Sequence, residues 1–283
     1  MRTNYHTHCD FCDGRSSAAA MAEAASAAGY RVLGFSSHSP LPFFNDGNME
    51  LARLPDYVAE VRRLEREWAP RGLEILLGLE IEWLAGLCSP RDALFLGLGL
   101  DYSIGSLHFV DPPGAGRFAV DTGAEDFEAG IARCEGADPG RAVYEDYYRN
   151  LGALIESGGF DILGHFDLVR KNNGDGRYFD EGSRGYRDAS LGAARLLRGT
   201  DIVVEINVGG MSRGKVKAPY PSLGILRELR AEGVRITLSA DAHAPAHLGV
   251  HLDTARDLAR AAGYDSVAVL SKGRWTETGI EET

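Results

Sequence analysis

The sequence predicts an α/β protein in which parallel strands alternate with helices and close into a barrel. Short apolar or β-branched runs recur along the chain, and helical patterns with recognisable ends fill the gaps between them. No glycine-rich phosphate loop follows the first strand, which argues against an open dinucleotide-binding sheet. At 283 residues the chain has the length that a closed (β/α) barrel requires.

The strand candidates, in order, are "TNYHTH" (3–8), "RVLGFSSH" (31–38), "EILLGLEIEW" (74–83), "YSIGSLHF" (102–109), "DILGHFD" (161–167), "DIVVEINV" (201–208), "RITLSADAH" (235–243) and "SVAVL" (266–270). Helices are predicted where a cap precedes a periodic apolar stretch and a glycine follows it. "SSAAAMAEAASAAG" opens on serine, and "DPGRAVYEDYYRNLGALIESGG" has Asp at the cap and Pro in the first turn. "RDASLGAARLLRG", "SLGILRELRAEG" and "DTARDLARAAG" repeat the pattern. No low-complexity tract or long linker interrupts the series, so residues 1–283 are expected to form one domain.

A formal charge of −11 argues against broad binding to nucleic acid or anionic membrane, since both usually require a basic surface. No apolar run of 18 residues occurs, and Met1 is followed by polar Arg2, Thr3 and Asn4, so a cytoplasmic protein is expected. The four cysteines (Cys9, Cys12, Cys88 and Cys134) are too few for a disulfide framework. Cys9 and Cys12 form a CxxC with no second pair to complete a zinc cage, and they are expected to be packing or incidental residues.

The polar residues at the predicted strand ends carry the chemistry. They are His6 and His8, His38, Glu80, His108, His165, Glu205 with Asn207, and Asp241 with His243; only His247 and His251 among the histidines fall elsewhere. In a parallel barrel all strand C-termini face one rim, so these side chains are expected to converge. His6 and His8, like Asp241 and His243, are two residues apart and therefore share one face of a strand. Glu80 interrupts an apolar strand, which costs several kcal/mol unless the carboxylate is paired or bound to a metal.

The ordered set "HTHCDFCD", "SSHSP", "GLEIEW", "SIGSLHF", "ILGHFDLVRK", "EINVGG" and "SADAH" resembles the polymerase and histidinol phosphatase (PHP) family, in particular its histidinol-phosphatase branch. The resemblance runs from residue 4 to about residue 250. It implies a distorted (β/α)7 barrel that holds three divalent metals, zinc, iron or manganese, at the C-terminal face of the strands. His6, His8, Glu80 and Asp241 would hold the first metal. Glu80, His108 and His165 would hold the second, with Glu80 bridging, and Asp13, His38 and His243 the third. The implied reaction belongs to histidine biosynthesis: hydrolysis of L-histidinol phosphate by a metal-bridging hydroxide. Another small phosphate monoester is the alternative substrate.

Glu80, Asp241 and His243 are then the expected catalytic residues, with the proton donor to the leaving group open between Asp241 and His243. Arg117, Arg170, Lys171 and Arg213, in loops after strand ends, are the expected phosphate contacts. The expected partner is a small-molecule phosphate monoester, with neither nucleic acid nor membrane. A barrel enzyme that cleaves C–N bonds would want a metal-bridging lysine on a middle strand, and none of these strand ends offers one.

Overall fold

All eight apolar runs contain strand, although most strands are shorter than the runs that encode them. A computed structural model of the chain describes residues 1–282. β1 (Thr3–Asn4), β2 (Val32–Phe35) and β3 (Glu74–Leu77) form a parallel sheet in that order. The next two strands are β4 (Glu80–Glu82) and β5 (Ile104–Ser106). An antiparallel ribbon of β6 (Phe109–Val110) and β7 (Phe118–Ala119) separates them in sequence from β8 (Ile162–Leu163), β9 (Val203–Asn207) and β10 (Ile236–Ser239). A second parallel sheet has the order β10-β9-β8-β5-β4. Isolated parallel bridges join Thr7, just past β1, to Ala242, just past β10, and His38, just past β2, to Glu80 at the start of β4.

The run at 74–83 divides between β3 and β4 because Tyr102 packs there. A side chain at Gly78 would meet the Tyr102 ring at 2.5 Å, and one at Gly34 would meet its hydroxyl at 2.4 Å. Two glycines thus admit one phenol between neighbouring backbones. The last run differs from expectation. β11 (Ser266–Ser271) stays out of the parallel sheets and pairs antiparallel with β12 (Arg274–Gly279). Lys272 and Gly273 both have positive φ, the two-residue turn that favours a tight hairpin over a crossover.

The helices lie between the strands. α1 (Ala18–Ala27) starts at Ser17, whose hydroxyl accepts from the Ala20 N–H at 3.2 Å. α2 (Leu54–Trp68), α3 (Ala93–Leu96) and α4 (Ala124–Ala132) follow. α2 buries Leu54, Tyr57, Val61, Leu64 and Trp68 at helical spacing. α5 (Pro139–Ser157) is capped by Asp138, which accepts from the Arg141 N–H at 3.0 Å. α6 (Arg184–Arg195) begins three residues before the predicted segment, because Ser183 supplies its cap. α7 (Gly209–Ser212), α8 (Leu223–Ala231) and α9 (Leu252–Ala261) complete the series. None of these helices is long and apolar enough to cross a membrane.

At the N-terminal ends of the strands, Tyr5, Val32, Leu76, Tyr102, Ile104, Ile162 and Leu270 form a buried apolar cluster. The β11–β12 ribbon seals it. The Tyr5 hydroxyl donates to the Leu270 carbonyl at 3.0 Å and accepts from the Leu270 N–H at 2.8 Å. With this end closed, the opposite ends of the same strands carry the polar residues.

Candidate metal centre

Glu80 is the hub of the opposite end. Its side chain is 1% exposed and lies within 3.5 Å of five histidines. Oε2 is 2.9 Å from His38 Nδ1, 3.1 Å from His6 Nε2 and 3.5 Å from His8 Nε2. Oε1 is 2.9 Å from His165 Nε2 and 3.5 Å from His108 Nε2. Asp241 approaches from the next sector, with Oδ1 3.4 Å from His8 Nε2 and 3.3 Å from His243 Nδ1. Asp13 completes the ring, with Oδ2 3.1 Å from His243 Nε2 and Oδ1 3.8 Å from His38 Nε2. The structure therefore brings all nine residues expected as ligands to one place.

The outer nitrogens of two histidines are held by carboxylates. His6 Nδ1 lies 2.9 Å from one Glu205 oxygen and 3.1 Å from the other, and Glu205 also accepts the His165 backbone N–H at 2.8 Å. Glu82 holds His108 twice, accepting its backbone N–H at 2.8 Å and lying 2.6 Å from its Nδ1. Both arrangements turn Nε2 inward, the orientation that a carboxylate behind a metal-ligating histidine imposes. The sequence reading gave neither glutamate a role. Glu82 stands two residues after Glu80 on the same strand face, and Glu205 stood among the strand-end residues, so spacing offered a signal for both.

A cation fits the donor set. His6 Nε2, His8 Nε2 and Glu80 Oε2 are buried and make no hydrogen bond among the described residues, although they crowd together. Buried polar atoms rarely go unpaired, and several facing inward around shared space are what a bound ion satisfies. Three groups of ligand atoms lie close enough to share an ion: His8, Asp13, His38 and His243; His6, His8 and Asp241; and His38, Glu80 and His108. His8 and His38 each belong to two groups, a wider sharing than the expected assignment, in which only Glu80 bridges.

Charge in the site follows from the same contacts. Burial pushes the Glu80 carboxyl up, yet His6, His38 and His108 together hold it well below the usual carboxylate range. Burial likewise opposes ionisation of Asp241, and Arg213 with His6 overcomes it. Asp241 has φ 46°, a left-handed conformation unusual for an aspartate. A side chain at Gly209 would meet the Asp241 carboxylate at 2.4 Å, so the start of α7 must be glycine for the two to approach.

Above the cluster lies a cavity of about 270 Å³ whose lining includes Glu80, His108, His165, Asp241, Lys171 and Arg213. Arg213 donates to Asp241 Oδ2 at 3.1 Å and to His243 Nδ1 at 2.8 Å. The Lys171 ammonium donates to the Asp121 carbonyl at 2.6 Å. The other two expected phosphate contacts lie outside this lining. Arg170 is tied to Asp167 at 2.9 Å and Glu181 at 2.7 Å, and Arg117 is exposed beside the Phe43 ring. Arg15 and Lys215, which the sequence reading passed over, line the cavity as exposed cations with no ion pair among the described residues. Asp121 lines it too.

Comparison with known proteins identifies relatives of the same kind. A sequence model of the PHP domain matches residues 4–209. A Deinococcus radiodurans protein named "Probable histidinol-phosphatase" is 31% identical over 234 residues, covering 81% of this chain and 80% of its own. The "Histidinol-phosphatase" of Bacillus subtilis is 28% identical over 261 residues, covering 86% of this chain and 94% of its own. In three dimensions the fold is similar to that of histidinol phosphate phosphatase from Lactococcus lactis, crystallised with zinc, L-histidinol and phosphate. The TM-score is 0.70 at 20% identity, over 97% of this chain and 98% of that one.

Proposed function

We propose that this chain, which belongs to the PHP domain family, is a histidinol-phosphatase that hydrolyses L-histidinol phosphate to L-histidinol and phosphate. The observation that carries the reading is Glu80, a buried carboxylate within 3.5 Å of five histidines, with its Oε2 and the Nε2 atoms of His6 and His8 making no hydrogen bond among the described residues. The names of the curated relatives supply the substrate. The whole chain acts as one cytoplasmic metallophosphoesterase domain, and the two parallel sheets with their bridges at Thr7 and His38 form a closed (β/α)7 barrel.

His6, His8, Asp13, His38, Glu80, His108, His165, Asp241 and His243 hold three divalent ions, for which zinc, iron and manganese suit the mixed nitrogen and oxygen donors. Bound divalent ions lower the pKa of water and neutralise the oxygens of a phosphoryl group. Arg213 fixes Asp241 and His243 relative to each other, because one guanidinium bonds to both. Arg15 and Lys215, which line the cavity and have no ion pair among the described residues, receive the phosphate with Lys171 and Arg213. Arg170 braces the loop after β8 through Asp167 and Glu181. Asp241, held ionised by Arg213 and His6, carries no proton to give to the leaving alcohol.

The test is phosphate release from L-histidinol phosphate beside a panel of other small monoesters, using protein of measured metal content. Turnover of L-histidinol phosphate is expected to exceed that of the rest of the panel by about a hundredfold in kcat/KM, a specificity that hydrogen bonds to a substrate's polar groups can supply. Slow and uniform hydrolysis across the panel would remove the substrate assignment and leave a general phosphoesterase.

A further inference from the structure

The outer nitrogen of His8 has an unusual partner. His6 and His108 lean on carboxylates, whereas His8 Nδ1 lies 3.4 Å from the sulfur of Cys12. The nearest carboxylate, Asp13, is 3.7 Å away, beyond hydrogen-bond reach. The thiol's own proton is committed elsewhere, since Cys12 Sγ donates to the Cys9 carbonyl at 3.5 Å. A sulfur lone pair is therefore left to accept the His8 Nδ1–H, and His8 Nε2 faces Glu80 and Asp241.

The loop that presents this sulfur is pinned at several points. The Cys12 N–H donates to the Cys9 carbonyl at 3.0 Å, the Asp10 N–H to Ser16 at 3.0 Å and the Arg15 N–H to His243 at 2.8 Å. Gly14 lies flat against Cys9, where a Cβ would come within 2.4 Å of the Cys9 nitrogen. Cys9 is fully buried, and its sulfur reaches Ser37 Oγ at 3.4 Å rather than any of the nine clustered residues. The two cysteines thus do different work: Cys9 packs the loop, and Cys12 faces the histidine.

We propose that Cys12 is a positioning residue whose thiol accepts the His8 Nδ1–H, fixing the tautomer and ring orientation that turn Nε2 toward the metals. The inference rests on the reading of His8 as a metal ligand. A neutral sulfur leaves the imidazole less electron-rich than a carboxylate would, so His8 is the weaker donor of the three supported histidines.

The test titrates full-length protein loaded with Zn²⁺ against a chromogenic chelator, for wild type, Cys12→Ala, Cys12→Ser and Cys9→Ala. Metal-free thermal unfolding of each variant is measured alongside, to separate loss of metal from loss of fold. Cys12→Ala is expected to bind one Zn²⁺ about tenfold more weakly, the lower end of what removing a partner behind a ligand costs. Cys12→Ser, which keeps an acceptor, falls between Cys12→Ala and wild type, and Cys9→Ala binds as wild type does. Wild-type protein that takes up no Zn²⁺ overturns the ligand reading and this inference together. If wild type binds Zn²⁺ and Cys12→Ala binds it within twofold as well, or Cys9→Ala loses as much, the inference alone fails.

Discussion

The two ends of the parallel strands obey opposite rules. In the sealed apolar cluster the phenols are paired: Tyr5 exchanges hydrogen bonds with Leu270, and the Tyr102 hydroxyl bonds to the Tyr5 and Phe35 carbonyls. At the C-terminal ends of the strands, His6 Nε2, His8 Nε2 and Glu80 Oε2 are equally buried and make no hydrogen bond among the described residues. The larger cavity, about 940 Å³, lies at the paired end, lined in part by Val32, Ile75, Leu76 and Leu270. None of the three candidate ion groups lies there. Cavity size is thus a poor guide to chemistry in this molecule, and unpaired buried imidazole and carboxylate atoms that crowd together are a better one. Glycine at 34 and 78 and apolar side chains build one end for stability, while the unpaired atoms of the other carry a desolvation cost that a bound ion would offset.

Substitution of the hub tests that contrast most severely. Glu80→Gln keeps the shape but removes the charge that five histidines share, so phosphatase activity is expected to fall by about a thousandfold or more, with bound metal reduced. Circular dichroism should show the fold retained. Activity near wild type with full metal content would remove Glu80 from the centre of the site. A smaller effect is expected one layer out. Glu205→Gln weakens the support behind His6 and the His165 backbone, at roughly 10–100-fold in metal affinity or activity. A variant equal to wild type in chelator competition would show that His6 is held by packing alone.

How much of this was legible in the sequence depended on the distance between partners. His6 with His8 and Asp241 with His243 could be read because two-residue spacing fixes a shared strand face. Glu80 could be read because an apolar run makes a lone carboxylate conspicuous. The supporting contacts were harder. Glu82 reaches His108 across 26 residues, and Glu205 reaches His6 across 199, pairings set by the order β10-β9-β8-β5-β4 and its bridge to the first strand. Loop cations were the least legible. Arg170 and Arg213 follow strand ends alike, yet Asp167 and Glu181 turn one away while Asp241 draws the other in. The hairpin of β11 and β12 turned on a two-residue Lys272-Gly273 signal that the alternation of strands and helices masked.

The smallest effect on catalysis is expected from the paired end, and it sharpens the comparison because the effect on stability there is not small. Tyr102→Phe removes one buried hydroxyl and leaves the Tyr5 and Phe35 carbonyls short of a donor, at about 1–3 kcal/mol of unfolding free energy. The ring still fills the space between Gly34 and Gly78, so the backbone has no reason to shift. Urea denaturation should therefore report the loss while kcat and KM stay within twofold of wild type. Tyr5 directly precedes His6, which makes this the most direct route by which a disturbance at the sealed end could reach the cluster. A tenfold fall in kcat from Tyr102→Phe, without loss of stability, would mean that the two ends are coupled through the first strand and that the division between them is wrong.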